Sequence, residues 1–393
     1  MSKKKDKFRA DFRKNRAPRA RRTDWTRAYE SARSEDAPAD ERISGKGELS
    51  RRRTVVGEQV ADEDAGVGVL RAVDEAACLA GRVVAVRGLK NLVETADGKQ
   101  YLCATRRLLK TLATDLRNVV VAGDRVLFRP EPSRVAPAPA QGQGRSEARL
   151  IGEGIIERVE PRRGVISRTS RGRQHVLVAN IDLLLIVSSA AEPDLKPHLI
   201  DRFLVTAEKT RIRPVICINK IDLVDPATLQ PLVGVYSQMG YRVLLASAKT
   251  GFGIDRLRRT MQGQTSAVCG QSGVGKSSLL NAVEPQLGLR VAEVSQETQK
   301  GKHTTTTAEL YRLSAGGYVV DTPGIRQFQL WDVIPAEVAG FFRDIRPYVD
   351  RCRFPDCTHT HETDCGVKNA VADDLLDVRR YESYCHLLED DSD

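Results

Sequence analysis

The run Gly270-Gln271-Ser272-Gly273-Val274-Gly275-Lys276-Ser277-Ser278 satisfies the pattern G-x-x-x-x-G-K-[ST]. Glycines at these positions let successive backbone N–H groups close around phosphates. Lys276 offers an ammonium to the β- and γ-phosphates, and the Ser277 hydroxyl is a ligand type that suits Mg²⁺. The loop follows an apolar run, Ala267-Val268-Cys269, and precedes a helical pattern, which is the setting the motif needs.

Three further motifs read as partners of this loop. Asp321-Thr322-Pro323-Gly324 follows Tyr318-Val319-Val320. A carboxylate there can hold Mg²⁺ through water, and Gly324 can present its N–H to a γ-phosphate. Asn219-Lys220-Ile221-Asp222 follows the apolar run Val215 to Ile218. The Asp222 carboxylate can accept from the N1 and N2 groups of guanine, which adenine does not offer, and Lys220 can cover the base. Ser247-Ala248-Lys249 ends the next apolar run, where a second loop would meet the same base. These are guanine-nucleotide motifs in an unusual order, because the base-reading pair precedes the phosphate loop. A circular permutation with the cut after the DTPG switch produces that order and leaves the sheet intact. Ile325 stands where many such proteins carry a water-orienting glutamine, and it cannot hydrogen-bond.

Cys352, Cys357, His359 and Cys365 supply four ligands for a closed Cys₃His site. Their spacing departs from the usual C-x₂-C pair, and His361, Cys385 and His386 are competing donors. The other cysteines are scattered singly, a usage that favours a metal site over disulfides in a reducing compartment.

The elements that must position these residues fall into four stretches. Residues 1–75 are rich in charge, with Lys3 to Lys5, Arg19 to Arg22 and Arg51 to Arg53 as basic runs, and are expected to be mostly disordered apart from a helical turn near Trp25 to Ala32. The basic runs suit an arm lying on phosphates and a solubilising tail equally. Residues 76–170 hold five short strands, Val83–Val86, Leu92–Thr95, Tyr101–Cys103, Val126–Phe128 and Gly154–Val159, which fit an OB-like barrel. The stretch 133–149, rich in Pro, Ala and Gln, is expected to be a mobile inserted loop. Residues 171–333 alternate strands and helices as an α/β domain. Residues 334–393 carry a helical stretch near Ala336 to Ile345, the Cys/His cluster and a last helix near Ala372 to Leu388. The tyrosines of that helix, Tyr381 and Tyr384, suit contact with RNA or packing on the metal lobe.

From about Gly81 to Cys385 the motif order and the Cys/His cluster strongly resemble the ribosome small-subunit-dependent GTPases, the RsgA or YjeQ family. The resemblance implies an OB-fold, a permuted GTPase domain and a zinc domain, with a role in late maturation of the small ribosomal subunit and GTP hydrolysis stimulated by that subunit. It assigns one structural Zn²⁺ to Cys352, Cys357, His359 and Cys365. It identifies Gly301-Lys302-His303-Thr304-Thr305-Thr306-Thr307 as switch I. Thr304 or Thr305 would then complete a Mg²⁺ shell that includes Ser277 and Asp321, and His303 would orient or deprotonate the attacking water.

Bulk properties agree with a polyanionic partner. The net charge is +10 with 62 Lys and Arg against 52 Asp and Glu, and only 5% of residues are aromatic, which favours backbone contact over base stacking. No run of eighteen apolar residues occurs, and no apolar segment follows the basic N-terminus, so a cytoplasmic monomer acting on GTP and ribosomal RNA is expected. Two other readings remain at this stage: a GTP-gated RNA-binding scaffold with negligible hydrolysis, and a metabolic P-loop kinase, against which Asn219 to Asp222 argue.

Overall fold

The computed structural model describes residues 6–11, 52–59, 69–71, 73–106, 109, 119–131, 150–170, 173–289, 308–321 and 335–390. Within the stretch expected to be a disordered tail, β1 (Asp6–Asp11), β2 (Arg52–Gln59) and β3 (Val69–Arg71) pair as a three-stranded antiparallel sheet. The Pro/Ala-rich stretch 133–149 and the Trp25 to Ala32 segment lie outside the described residues.

Five strands close the barrel: β4 (Leu79–Arg87), β5 (Lys90–Thr95), β6 (Gln100–Thr105), β7 (Arg125–Pro130) and β8 (Leu150–Val159). They run in the order β4-β5-β6-β8-β7, and β7 pairs back onto β4. Val83, Val93, Cys103, Val126, Phe128 and Ile156 fill the interior. Val84, on the opposite face of β4, joins the core of the next domain. Burial on both faces explains why β4 reads as a continuous apolar run.

The α/β domain is entered through a hairpin, β9 (Ile166–Ser170) and β10 (Arg173–Val178), which crosses the expected boundary at 170. Then come β11 (Leu183–Ser189), α1 (Pro197–Lys209), β12 (Arg213–Asn219), α2 (Gln230–Gln238), β13 (Arg242–Leu245), α3 (Ile254–Met261), β14 (Thr265–Cys269), α4 (Lys276–Val283), β15 (Glu309–Arg312) and β16 (Tyr318–Asp321). The sheet order is β13-β12-β11-β14-β16-β15, parallel except for β15. Strand alternation sends Leu184 and Ile186 of β11 toward α1 and α2, and Leu183, Leu185 and Val187 toward α3 and α4. Among the described residues, the pairing of Glu309 with Ala85 joins this sheet to the barrel.

The C-terminal lobe holds α5 (Pro335–Phe341), α6 (Arg346–Val349), α7 (Gly366–Ala372) and α8 (Val378–Asp390). The expected last helix therefore begins six residues late. Asp374 has φ +57°, and the Leu375 and Leu376 amides both donate to the Ala370 carbonyl, which ends α7 and turns the chain before α8. Val338, Phe342, Ile345, Val367, Tyr384 and Leu387 pack with Val205 of α1, so the lobe shares its core with the α/β domain.

Arg380 of α8 anchors this contact. Its guanidinium pairs with Asp344 through Nε (2.8 Å) and lies 2.5 Å from Asp201 of α1, while Tyr236 donates to Asp201 at 2.8 Å. Burial pushes the Asp201 carboxyl up from its ordinary range, against the pull of Arg380. Removing the cation leaves the Asp201 carboxylate buried with only neutral hydroxyl partners among the described residues. Arg380→Ala is expected to cost about 3–5 kcal/mol of stability in urea unfolding, and a loss below about 1 kcal/mol would mean that the triad contributes little.

Candidate nucleotide site and metal cluster

The phosphate-loop motif sits where strand ends and helix starts meet, at the carboxyl edge of the parallel strands. After β14 the chain turns at Gly270, whose φ is +137°. A Cβ there would lie 2.0 Å from the Val187 carbonyl oxygen, so a side chain cannot be accommodated without moving β11. Gly275, at φ +87°, caps α4, and a Cβ on it would lie 2.6 Å from Asn219 Nδ2. Lys276, Ser277 and Ser278 occupy the first turn of α4, half-buried. The Lys276 ammonium donates to the carbonyls of Gly270 (2.8 Å) and Gln271 (2.6 Å), which holds it across the loop.

Asn219 binds three motifs into one site. It ends β12 almost fully buried, its Nδ2 donates to the Val274 carbonyl at 2.9 Å, and its Oδ1 accepts from the Ala248 amide at 3.2 Å. The phosphate loop and both base-reading loops are therefore fixed relative to one another by one side chain. Asp222 stands exposed on the following turn and accepts from the buried Ser247 hydroxyl at 2.6 Å. That bond, with the Lys249 and Lys220 ammonium groups adding to it, holds the Asp222 carboxyl below the usual carboxylate range. It is thus an anionic acceptor at neutral pH. Lys220 has φ +60°, and its ammonium donates to the Glu192 carbonyl in the β11–α1 loop. Sequence inspection misses this loop, because a backbone acceptor leaves no trace in residue type.

Asn219→Ala removes both buried bonds at a total cost of about 2–3 kcal/mol. Guanine nucleotide binding, measured by fluorescence titration, is expected to weaken roughly 30- to 150-fold. An unchanged affinity would show that the three loops hold their arrangement without it.

Asp321 is the last residue of β16, beside β14. Thr322 to Ile325, including Gly324, lie outside the described residues, as does the whole Gly301 to Thr307 segment with His303, Thr304 and Thr305.

In the C-terminal lobe, one ligand atom from each of Cys352, Cys357, His359 and Cys365 lies within 4.8 Å of the others. Cys352 Sγ and Cys365 Sγ are 3.8 Å apart, and both face His359 Nδ1, at 3.3 and 3.5 Å. Metal–sulfur bonds of about 2.3 Å at tetrahedral angles give sulfur–sulfur edges of roughly 3.8 Å, so the donor set fits a tetrahedral ion such as zinc. His361 is exposed and bonds Thr360, outside this cluster. The Tyr381 hydroxyl donates to the His359 carbonyl and the Tyr384 hydroxyl to the Thr358 carbonyl, each at 2.7 Å. Both tyrosines of α8 are therefore committed to the metal loop, which decides a question that residue type leaves open. Glu362 accepts from the Thr358 amide and hydroxyl and the Thr360 amide, and against the opposing effect of burial the Thr358 bonds hold its carboxyl down at about 2. All eight cysteines are free of disulfides.

The family described as RsgA GTPase matches residues 159–331. The small ribosomal subunit biogenesis GTPase RsgA of Sodalis glossinidius is 38% identical over 318 residues, covering 79% of this chain and 85% of that protein. The protein of the same name from Chlorobaculum parvum is 37% identical over 319 residues, covering 79% and 97%. Among solved structures, YjeQ from Thermotoga maritima superposes with a TM-score of 0.62 at 34% identity, covering 80% of this chain and 98% of that one. YloQ, described as a circularly permuted GTPase, gives 0.60 at 28% identity, covering 81% and 97%. Relatives that are 37–38% identical and covered over 85–97% of their own length, together with the family match over residues 159–331, show that the chain belongs to the RsgA family of circularly permuted GTPases.

Proposed function

We propose that the protein binds GTP at the carboxyl edge of the β11–β16 sheet, engages the small ribosomal subunit in that state, and leaves it after hydrolysis. The observation that carries this reading is the Asn219 junction, which joins a phosphate loop to a guanine-reading pair within hydrogen-bond distance. In the proposed complex the amides of Gly270 to Ser278 and the Lys276 ammonium hold the phosphates. Asp222 accepts from the guanine edge, Lys220 lies over the base, and Ser247, Ala248 and Lys249 close the far side. Ser277, Asp321 and Thr304 or Thr305 are the residues that would hold Mg²⁺, which when bound neutralises charge on the β- and γ-oxygens. Because the Ile325 side chain has no hydrogen-bonding group, the attacking water needs another partner. His303 in the resemblance-assigned switch I is the proposed one.

The names of the relatives, small ribosomal subunit biogenesis GTPases, support the subunit as the partner. The +10 charge supports contact with ribosomal RNA. No helix among the described residues is long and apolar enough to cross a membrane, in keeping with the proposal of a monomer that meets ribosomal particles in the cytoplasm. We assign the Cys₃His cluster to a single structural zinc, since all four positions of a tetrahedral ion are taken by protein.

Co-sedimentation with purified subunits tests the partner. The protein is expected to pellet with small subunits in a non-hydrolysable GTP analogue, at least ten-fold less in GDP, and not with large subunits. Equal recovery in both nucleotides would remove the proposed release step. Ile325 favours one second reading, a GTP-gated scaffold with negligible turnover, and that reading predicts the same pelleting without hydrolysis.

A further inference from the structure

The parallel strands of the α/β domain end at the nucleotide loops, and their opposite ends form a second charged surface. β12 starts at Arg213, preceded by Arg211, and β14 starts at Thr265. The Arg163-Gly164 turn lies against them: a Cβ on Gly164 would meet Ile212 Cγ1 at 3.1 Å, and Gly164 O accepts from the Ile181 amide. The barrel brings two more arginines to the same edge. Arg82 of β4 donates to Thr265 Oγ1 and covers the Tyr318 ring at 5.0 Å. Arg125 of β7 is its direct cross-strand partner.

This arrangement is costly for the protein alone. Like charges directly opposite on adjacent strands repel, and Arg82 is pushed down from its ordinary range, first by burial and then by Arg125. Neighbouring carboxylates are already engaged. Glu94 takes Arg312 and Tyr318, Glu160 takes Arg158, and Asp182 accepts from the Thr265 amide. Arg125, Arg163 and Arg211 are exposed, and none has a carboxylate partner among the described residues. Among the described residues the Arg213 side chain bonds the neutral Gln264, at 3.0 Å.

We propose that this rim, Arg82, Arg125, Arg163, Arg211 and Arg213, is a docking surface for an RNA phosphate backbone. The proposal rests on the reading that the protein works on ribosomal RNA, and it locates a surface for that contact. Arginine forks suit phosphate oxygens, and the Tyr318 ring at this edge is covered by Arg82, so backbone contact is favoured over base stacking. The continuous sheet through β15 and β4 holds the barrel and domain arginines at fixed spacing. Strands of five to seven residues separate the rim from the nucleotide loops, roughly 16–23 Å. RNA seated here leaves the nucleotide open to exchange.

The test compares two variants of the full chain with equal charge change: Arg125→Glu with Arg163→Glu, and Arg256→Glu with Arg259→Glu on α3, whose side chains are also exposed. Binding to a fluorescein-labelled RNA hairpin and to small subunits is measured from 50 to 300 mM salt, with thermal melting as the fold control. The rim variant is expected to bind the hairpin at least about ten-fold more weakly, with a salt slope shallower by about two, while the α3 variant changes by less than about three-fold. Equal weakening in both variants means that only net charge matters, and it overturns the proposal. So does a rim variant that binds like wild type, and so does rim-dependent capture of phosphatidylglycerol vesicles without RNA binding. Failure of the wild-type protein to bind either RNA or subunits instead overturns the functional reading on which the proposal rests.

Discussion

Asp222→Asn is expected to move base preference from guanine to xanthine. The Asp222 carboxylate is an exposed acceptor fixed by Ser247 and held below its usual range, and in the proposed complex it takes both N1–H and N2–H of guanine. An asparagine offers one acceptor and one donor, so it meets the guanine amino group with an N–H and leaves that pair unmatched. Two hydrogen bonds to a charged group contribute about 1.5–3 kcal/mol each, so GTP affinity is expected to fall roughly 10²- to 10⁴-fold. Xanthine carries a carbonyl where guanine carries the amino group, and the new amide can donate to it. Titration with fluorescent GTP and xanthosine triphosphate checks this. A variant that still prefers GTP would mean that Asp222 does not read the base.

Metal removal is expected to unfold the C-terminal lobe while the nucleotide site survives. The loop from Cys352 to Cys365 contains no regular helix or strand, and its buried members are two of the donors themselves, His359 and Cys365. Its other ties are the hydroxyl bonds of Tyr381 and Tyr384. Structural zinc sites of this kind contribute on the order of 10–16 kcal/mol of apparent binding free energy, which here is folding free energy of the lobe. Chelation, or Cys365→Ser, should abolish amide-exchange protection in α8 and lower the melting temperature of the lobe. Val274, Leu279 and Leu280, under the phosphate loop, belong to a core separate from that of the lobe, so nucleotide titration should change little. Full α8 protection after demonstrated metal loss would contradict a structural role.

Much of this organisation is legible from residues alone. The barrel and the five parallel strands announce themselves because their apolar runs are buried on one or both faces, and the nucleotide motifs because each requires particular residue types at fixed spacing. What escapes inspection has physical reasons. β9 and β10 carry Arg168 and Arg173 beside their apolar positions, which disguises the hairpin and moves the apparent boundary to 170. β15 is four residues long and alternates Glu309 and Arg312 around Leu310 and Tyr311, too short for a periodic signal. Arg380 reads as one surface cation among many, and only the fold shows it 3% exposed between Asp201 and Asp344. The committed tyrosines of α8 and the Glu192 carbonyl under Lys220 belong to the same class: they depend on what lies opposite, which spacing along a chain does not encode.

In the proposed function the small ribosomal subunit controls turnover of this GTPase, and the rate of hydrolysis is the decisive quantity. GTP hydrolysis by the purified protein is to be measured alone, with small subunits and with large subunits, with ATP as a control, at fixed salt because phosphate contacts are salt-sensitive. Slow intrinsic turnover raised at least ten-fold by small subunits only, with ATP not used, is the predicted result, and His303→Ala should then remove the stimulation. Tight GTP binding with no stimulation by either subunit would contradict the account and leave a nucleotide-gated scaffold in its place.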